Sequence, residues 1–171
     1  IAERPKEIAE RKQFGHWEGD LIAFRKEFGK SNLTSLVERR SRYIVLTRNP
    51  SRHSIGVMAG IEHHLGPLPQ TLRQSITFDR GTEFAAFATL KTKLGMTSYF
   101  CKPSAPWQKG SVENSNGRIR RFLSLDTDIA ALPVSDLAAI IQRLNNTPRK
   151  CLGFRTPTEV IGEQIAAHIA T

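Results

Sequence analysis

The strongest constraint on the fold is a change in the spacing of apolar residues near residue 50. Before it, residues 16–24 (HWEGDLIAF) alternate with a period of two, as a half-buried strand does. Residues 32–39 (NLTSLVER) and 43–47 (YIVLT) are rich in β-formers, and Arg40, Ser41 and Arg42 make a tight polar turn between them. Three strands joined this closely predict an antiparallel meander. After it, Ile55, Met58, Ile61 and Leu65 fall at helical spacing, with Ser51 as the expected N-cap and Gly66-Pro67 as the stop. A short strand over 75–78 follows, then a helix over 84–94 with Phe84, Phe87, Leu90 and Leu94 on one face, then a strand over 97–101. Residues 103–110 (PSAPWQKG) form a loop, and Ser111 is expected to cap a helix reaching Leu123. Residues 133–145 and a segment from Thr156, with Pro157 in its first turn, complete the order β-β-β-α-β-α-β-α-α-α. A meander followed by strands linked through helices predicts an α/β fold: a mixed five-stranded sheet with helices on both faces.

Composition narrows the function classes. A chain of 171 residues is one domain's worth and can bury an ordinary core. Two cysteines, Cys101 and Cys151, exclude a disulfide scaffold or a multi-cysteine zinc module, and both are expected reduced and structural. No apolar run reaches membrane-spanning length, so no membrane partner is expected. The opening residues carry no charged-then-apolar leader, and secretion is not expected. The chain begins at Ile1, which reads as a fragment of something longer. Formal net charge is +9, unevenly spread: residues 25–55 hold eight Lys/Arg against two acids, residues 101–122 five against one, and residues 16–24 two acids and no Lys or Arg. An acidic spot flanked by basic segments fits a polyanion whose phosphates are neutralised as counterions leave. No Gly-rich phosphate loop is present, so a nucleotide cofactor is not expected.

The acidic spot draws attention to three carboxylates. Asp20 lies inside the first strand, Asp79 ends the fourth, and Glu113 sits in the first turn of the helix after the proline loop. The carboxyl ends of strands are where α/β sheets bind ligands. A strand Asp among apolar neighbours is costly unless paired or metal-bound. Clustered carboxylates repel, and a hard divalent cation such as Mg²⁺ removes that repulsion. Singly, each acid also has a plain structural role, as turn residue or helix-dipole partner.

The contexts of these acids carry a family resemblance. Residues 15–21 (GHWEGDL), 77–84 (TFDRGTEF) and 107–120 (WQKGSVENSNGRIR), with a tail over 145–160 (NNTPRKCLGFRTPTEV), resemble the catalytic core of DDE transposases. The bacterial insertion-sequence-thirty family, related to retroviral-type integrases, is the nearest pattern. The resemblance covers roughly residues 4–160, and thirty-three residues between Asp79 and Glu113 suit it. It implies a ribonuclease H-like fold and a triad of Asp20, Asp79 and Glu113 holding two Mg²⁺ or Mn²⁺ ions. It implies nicking of DNA at transposon ends and strand transfer to target DNA, by a bacterial, cytoplasmic, nucleoid-associated protein that self-associates in action. A ribonuclease H-like nuclease and a non-catalytic DNA-binding module derived from a transposase are the alternatives. Residues 1–15 then read as a linker or short helix from a missing N-terminal DNA-binding region, 16–147 as the catalytic core and 148–171 as a helical tail. Arg80, Lys102, Ser104 and Ala105 depart from the family's usual residues without touching the triad.

Other residues are candidates for DNA contact. Helical spacing puts Asn116, Gly117 and Arg120 on the face of Glu113, with Arg120 expected to reach a phosphate. Trp107 and Lys109, in the loop before Glu113, combine a stacking surface with a cation. Arg118 and Arg121 point elsewhere and read as exposed. Glu18 shares a strand face with Asp20 and is expected to pair with a cation. Trp17, on the other face, is expected in the core, and His63-His64 is expected to be a solvated pair at a helix end.

Overall fold

The computed structural model describes residues 4–102 and 106–170, without the side chains of residues 6, 7, 106 and 107. Its helices and strands run in the order α1 (Lys6–Ala9), β1 (His16–Ala23), β2 (Asn32–Glu38), β3 (Ile44–Asn49), α2 (Ser54–Leu65), β4 (Ser75–Phe78), α3 (Ala88–Leu94), β5 (Thr97–Phe100), α4 (Gly110–Ile119), α5 (Val134–Asn145) and α6 (Pro157–Ile169). The sheet order is β3-β2-β1-β4-β5. β1, β2 and β3 form the antiparallel meander, with Asp20 opposite Ser35 and Ser35 opposite Leu46. β4 adds parallel to the free side of β1, Glu18 opposite Thr77, and β5 adds parallel to β4. The mixed five-stranded sheet expected from the order of elements is therefore present.

Alternation along β1 splits the core in two. On one face Trp17, Leu36, Ile76 and Phe78 pack with Met58, Ile61 and Leu65 of α2 and Leu90 and Leu94 of α3. Trp17 is fully buried there, its indole N–H donating to the Leu72 carbonyl at 2.8 Å. On the other face Ile22, Leu33, Val37, Ile44 and Leu46 pack with Val112 and Ile119 of α4 and Leu137 and Leu144 of α5. Gly19 lets the sheet close: a Cβ there would lie 2.6 Å from the Phe78 ring. The hairpin turn is organised by Glu38, whose buried carboxylate accepts from the backbone N–H groups of Gly15, Arg40 and Ser41 and from the Ser41 hydroxyl.

Helix starts depart from the sequence reading. α2 begins at Ser54 with His53, not Ser51, at its cap position, which leaves Ile55 in an outward first turn and 78% exposed. The predicted helix from Phe84 is a 3₁₀ turn (Thr82–Phe84) followed by α3 from Ala88. α4 starts at Gly110, with Ser111 inside it, and ends at Ile119. Ser111 does not cap because its hydroxyl accepts from Arg42 at 2.8 Å, while Glu18 takes the free N–H of Val112 at 2.9 Å. α6 begins as predicted, with Pro157 in its first turn and a capping box between Thr156 and Glu159. Cys101 and Cys151 are both free cysteines, Cys101 buried and Cys151 exposed.

Residues 4–15 lie against the sheet. Ile8 is buried and its carbonyl accepts from Arg39, and the Arg40 guanidinium sits 4.2 Å over the Phe14 ring. Among the described residues no helix is long and apolar enough to cross a membrane.

Candidate active site

The parallel pairing of β1 and β4 places two acids side by side. Glu18 registers with Thr77, so Asp20 and Asp79 both follow two residues later on the same face, toward α4. Asp79 lies just past the end of β4, where its Oδ1 accepts from the Gly81 N–H at 2.9 Å and folds the turn back. The other oxygen is left for the site.

Lys109, at the end of the 3₁₀ turn Pro106–Lys109, closes the gap. Its buried Nζ donates to Asp20 Oδ1 at 3.0 Å and to Asp79 Oδ2 at 2.9 Å. Burial alone would lower the Lys109 pKa, but the charge of Asp20 and the hydrogen bond and charge of Asp79 outweigh it and hold it above its ordinary value. Asn116, two turns along α4, donates to Asp20 Oδ2 at 2.9 Å. Both oxygens of Asp20 are therefore aimed by α4 and the turn before it.

The docking of α4 rests on a buried pair. Glu18 Oε2 accepts the Val112 N–H, and Oε1 accepts Arg39 Nε at 2.9 Å, with both side chains almost wholly buried. The cation expected for Glu18 is thus Arg39. The same carboxylate also satisfies one of the N–H groups that a helix start leaves unpaired and sits at the positive end of the helix dipole. A strand acid two residues before Asp20 thereby fixes the register of the helix that carries Glu113 and Asn116 and directly follows Lys109.

Of the sequence candidates, Asp20 and Asp79 meet through Lys109. Glu113 is exposed in the first turn of α4, four residues after Lys109 and three before Asn116. Among the described residues no three His, Cys, Asp or Glu side chains converge as a metal-holding group. Arg120 is turned inward: it donates to the Ala23 carbonyl at 2.5 Å and lies 5.1 Å over the Phe24 ring. The Trp107 side chain, and Ser104 and Ala105, lie outside the described residues. His63 and His64 are exposed in the last turn of α2, as expected.

The donor set fits a divalent cation. Two carboxylate oxygens from neighbouring strands already share one positive charge, and oxygen is the ligand that Mg²⁺ and Mn²⁺ favour. The Asn116 side-chain carbonyl and the Ser35 hydroxyl, across the ladder from Asp20, are buried with no hydrogen-bond partner among the described residues. Buried oxygens in that condition are costly unless something positive or hydrogen-bonding reaches them.

Sequence reasoning missed a second cluster. Arg11, Arg42, Arg149 and Lys150 gather with Arg118 on the other side of α4. Their positions are far apart in sequence, and the only early sign was the basic excess over 25–55 and 101–122.

Comparison with known proteins gives the family and the fold. Residues 10–106 match the family described as integrase core domain. The chain is 39% identical over 166 residues to the transposase InsI for insertion sequence element IS30A of Escherichia coli (strain K12), covering 97% of this chain and 43% of that protein. It is 39% identical over 163 residues to the transposase for insertion sequence element IS1086 of Cupriavidus metallidurans, covering 95% and 48%. The chain thus spans less than half the length of these curated relatives. Among solved structures it is similar to the catalytic core domain of BIV integrase (TM-score 0.68, 21% identity, 91% of this chain and 98% of that one). It is also similar to a chain of the simian T-cell lymphotropic virus intasome in complex with PP2A regulatory subunit B56 gamma (TM-score 0.69, 22% identity, 85% and 53%). These likenesses identify the fold as ribonuclease H-like.

Proposed function

Because the chain belongs to the integrase core domain family, we propose that it is the catalytic domain of a DNA transposase that nicks DNA at transposon ends and transfers the freed strand to target DNA. The observation that carries this reading is the convergence of Asp20 and Asp79 on one cation position, beside the helix that bears Glu113.

Asp20, Asp79 and Glu113 would hold two Mg²⁺ or Mn²⁺ ions. When bound, these ions supply charge neutralisation at the attacking and leaving oxygens of a phosphoryl transfer. The protein's own part is positional. Asn116 fixes the rotation of the Asp20 carboxylate, and the Glu18–Arg39 pair holds α4 against β1. Lys109 keeps the two aspartates together and, once displaced from them, is one helical turn from Glu113 and within reach of a phosphate. Nicking breaks one P–O bond with water and leaves a 3′-hydroxyl. Transfer forms a P–O bond from that hydroxyl and breaks one in the target, so bond count is conserved and no nucleoside triphosphate enters. Two transposon ends must be held at once, so the working unit contains more than one copy, acting on the bacterial chromosome.

The test is cleavage of duplex DNA by the purified chain in Mn²⁺ or Mg²⁺. Asp20→Asn, Asp79→Asn and Glu113→Gln are each expected to abolish nicking while the chain stays folded by circular dichroism, and retained nicking in any one overturns the reading. Joining of pre-cut ends to a target duplex separates strand transfer from a nuclease that uses only water.

A further inference from the structure

Behind α4 the structure holds a cavity of about 390 Å³ whose wall contains Arg11, Arg42, Arg118, Arg149, Lys150 and Cys151 and, among the described residues, no Asp or Glu. Its volume is that of a ligand cleft. None of the five cations forms an ion pair among the described residues, although the chain carries 16 acids. Three of them are held in place by neutral partners instead. Arg42 donates to the Ser111 hydroxyl at 2.8 Å from a backbone at φ +63°, Arg118 to the Asn114 side-chain oxygen at 3.2 Å, and the buried Arg149 to the Leu144 carbonyl at 2.6 Å. The loop supplying Arg149 and Lys150 is closed on itself, with the Phe154 N–H donating to the Arg149 carbonyl and the Arg149 N–H to the Arg155 carbonyl, each at 2.9 Å. Burial, and then the nearness of Arg42 and Arg118 respectively, lowers the pKa of Arg11 and of Arg149. Cations gathered at this cost, with their hydrogen-bonding capacity only partly used, present fixed donors for a group with several anionic oxygens.

We propose that this cavity is a phosphate seat for the backbone of a DNA strand bound at the active site. The inference rests on the nucleic-acid reading of the acidic site and adds to it a place on the chain. α4 links the two: Lys109, on the aspartates, directly precedes Gly110 of the cavity wall, and Asn114 and Arg118 face the cavity while Asn116 faces Asp20. A strand crossing the start of α4 meets both. The cavity places phosphate and reads no base.

Cys151 gives a direct test, because it is exposed in the cavity wall while Cys101 is buried. The rate of Cys151 alkylation by iodoacetamide, followed by mass spectrometry on the full chain, is measured with and without a short DNA duplex. With DNA at ten times its Kd, occupancy alone gives about a tenfold slowing. The double variant Arg118→Gln/Lys150→Gln is expected to lower the slope of log affinity against log salt by about one for each phosphate it no longer neutralises. DNA that binds but leaves the Cys151 rate unchanged overturns this inference and spares the proposed function. Failure of the chain to bind any DNA overturns both. Protection by inorganic pyrophosphate but not by DNA also overturns it, by making the cavity a small-anion site.

Discussion

Two carboxylates about 3 Å from one ammonium form a hydrogen-bonded group, still one negative charge in excess, that a divalent cation must disturb in order to enter. Lys109→Met removes the resident charge and leaves Asp20 and Asp79 facing each other. Without metal the variant should lose about 1–2 kcal/mol, between the ~0–1 of an exposed pair and the ~3–5 of a buried one. Ca²⁺ or Mn²⁺ affinity, measured by calorimetry, should rise about tenfold because nothing competes for the carboxylates. Weaker metal binding in the variant would mean that Lys109 shapes the site without competing for it. Glu18 is the opposite case, a carboxylate whose partner never leaves. Glu18→Gln strands the buried Arg39 guanidinium and should cost about 3–5 kcal/mol in urea unfolding, with part of the loss recovered in Glu18→Gln/Arg39→Gln. A cost below about 1 kcal/mol would show that water reaches Arg39. Asp20 and Asp79 were legible in the sequence because strand period and motif context agree. The ammonium between them was not, since nothing local in WQKGSVEN says that Lys109 turns inward.

At the scale of elements, α4 is shared between two sites and its register matters to both. β1 sets that register through Glu18 and sets the sheet's closeness through Gly19. Gly19→Ala puts a methyl 2.6 Å from the Phe78 ring, which packs against Phe84 at 4.3 Å and has little room to retreat. The expected loss is about 1–3 kcal/mol by overpacking, smaller in a Phe78→Leu background, as read from urea midpoints. Equal losses in both backgrounds would mean that the strain lies elsewhere. Strands were read closely from sequence because a period of two leaves little freedom in register. Helix starts were read less well because their free N–H groups found partners from distant segments. Glu18 serves α4 from β1, and no local capping residue announces it. The basic cavity was illegible for the same reason: Arg11, Arg42, Arg118 and Arg149 come from four separate stretches.

Across the whole molecule, stability depends on keeping a further positive charge out of the seam where residues 4–15 meet the sheet, which already holds the buried Arg39. His16 lies in that seam, buried, with Nδ1 2.8 Å from the Ser75 hydroxyl and Nε2 3.3 Å from the Gln13 side-chain oxygen. Burial first, then the charges of Arg39 and Arg4, push its pKa from 6.5 down to about 4. The folded chain therefore keeps His16 neutral at pH values where the unfolded chain protonates it. Its contribution is fully present above pH 6.5 and is lost as pH falls toward 4. Within that window the slope approaches about 1.4 kcal/mol per pH unit, the value for one proton. Glu38 acts with the opposite sign, since burial raises its pKa and favours the folded state as it protonates. The two are separated by comparing urea unfolding of the wild type with His16→Gln from pH 7 to pH 4. The variant should lose the His16 share of the decline and show a flatter profile. Parallel profiles would mean that His16 accepts a proton in the folded chain, and that the seam opens to water before the sheet unfolds.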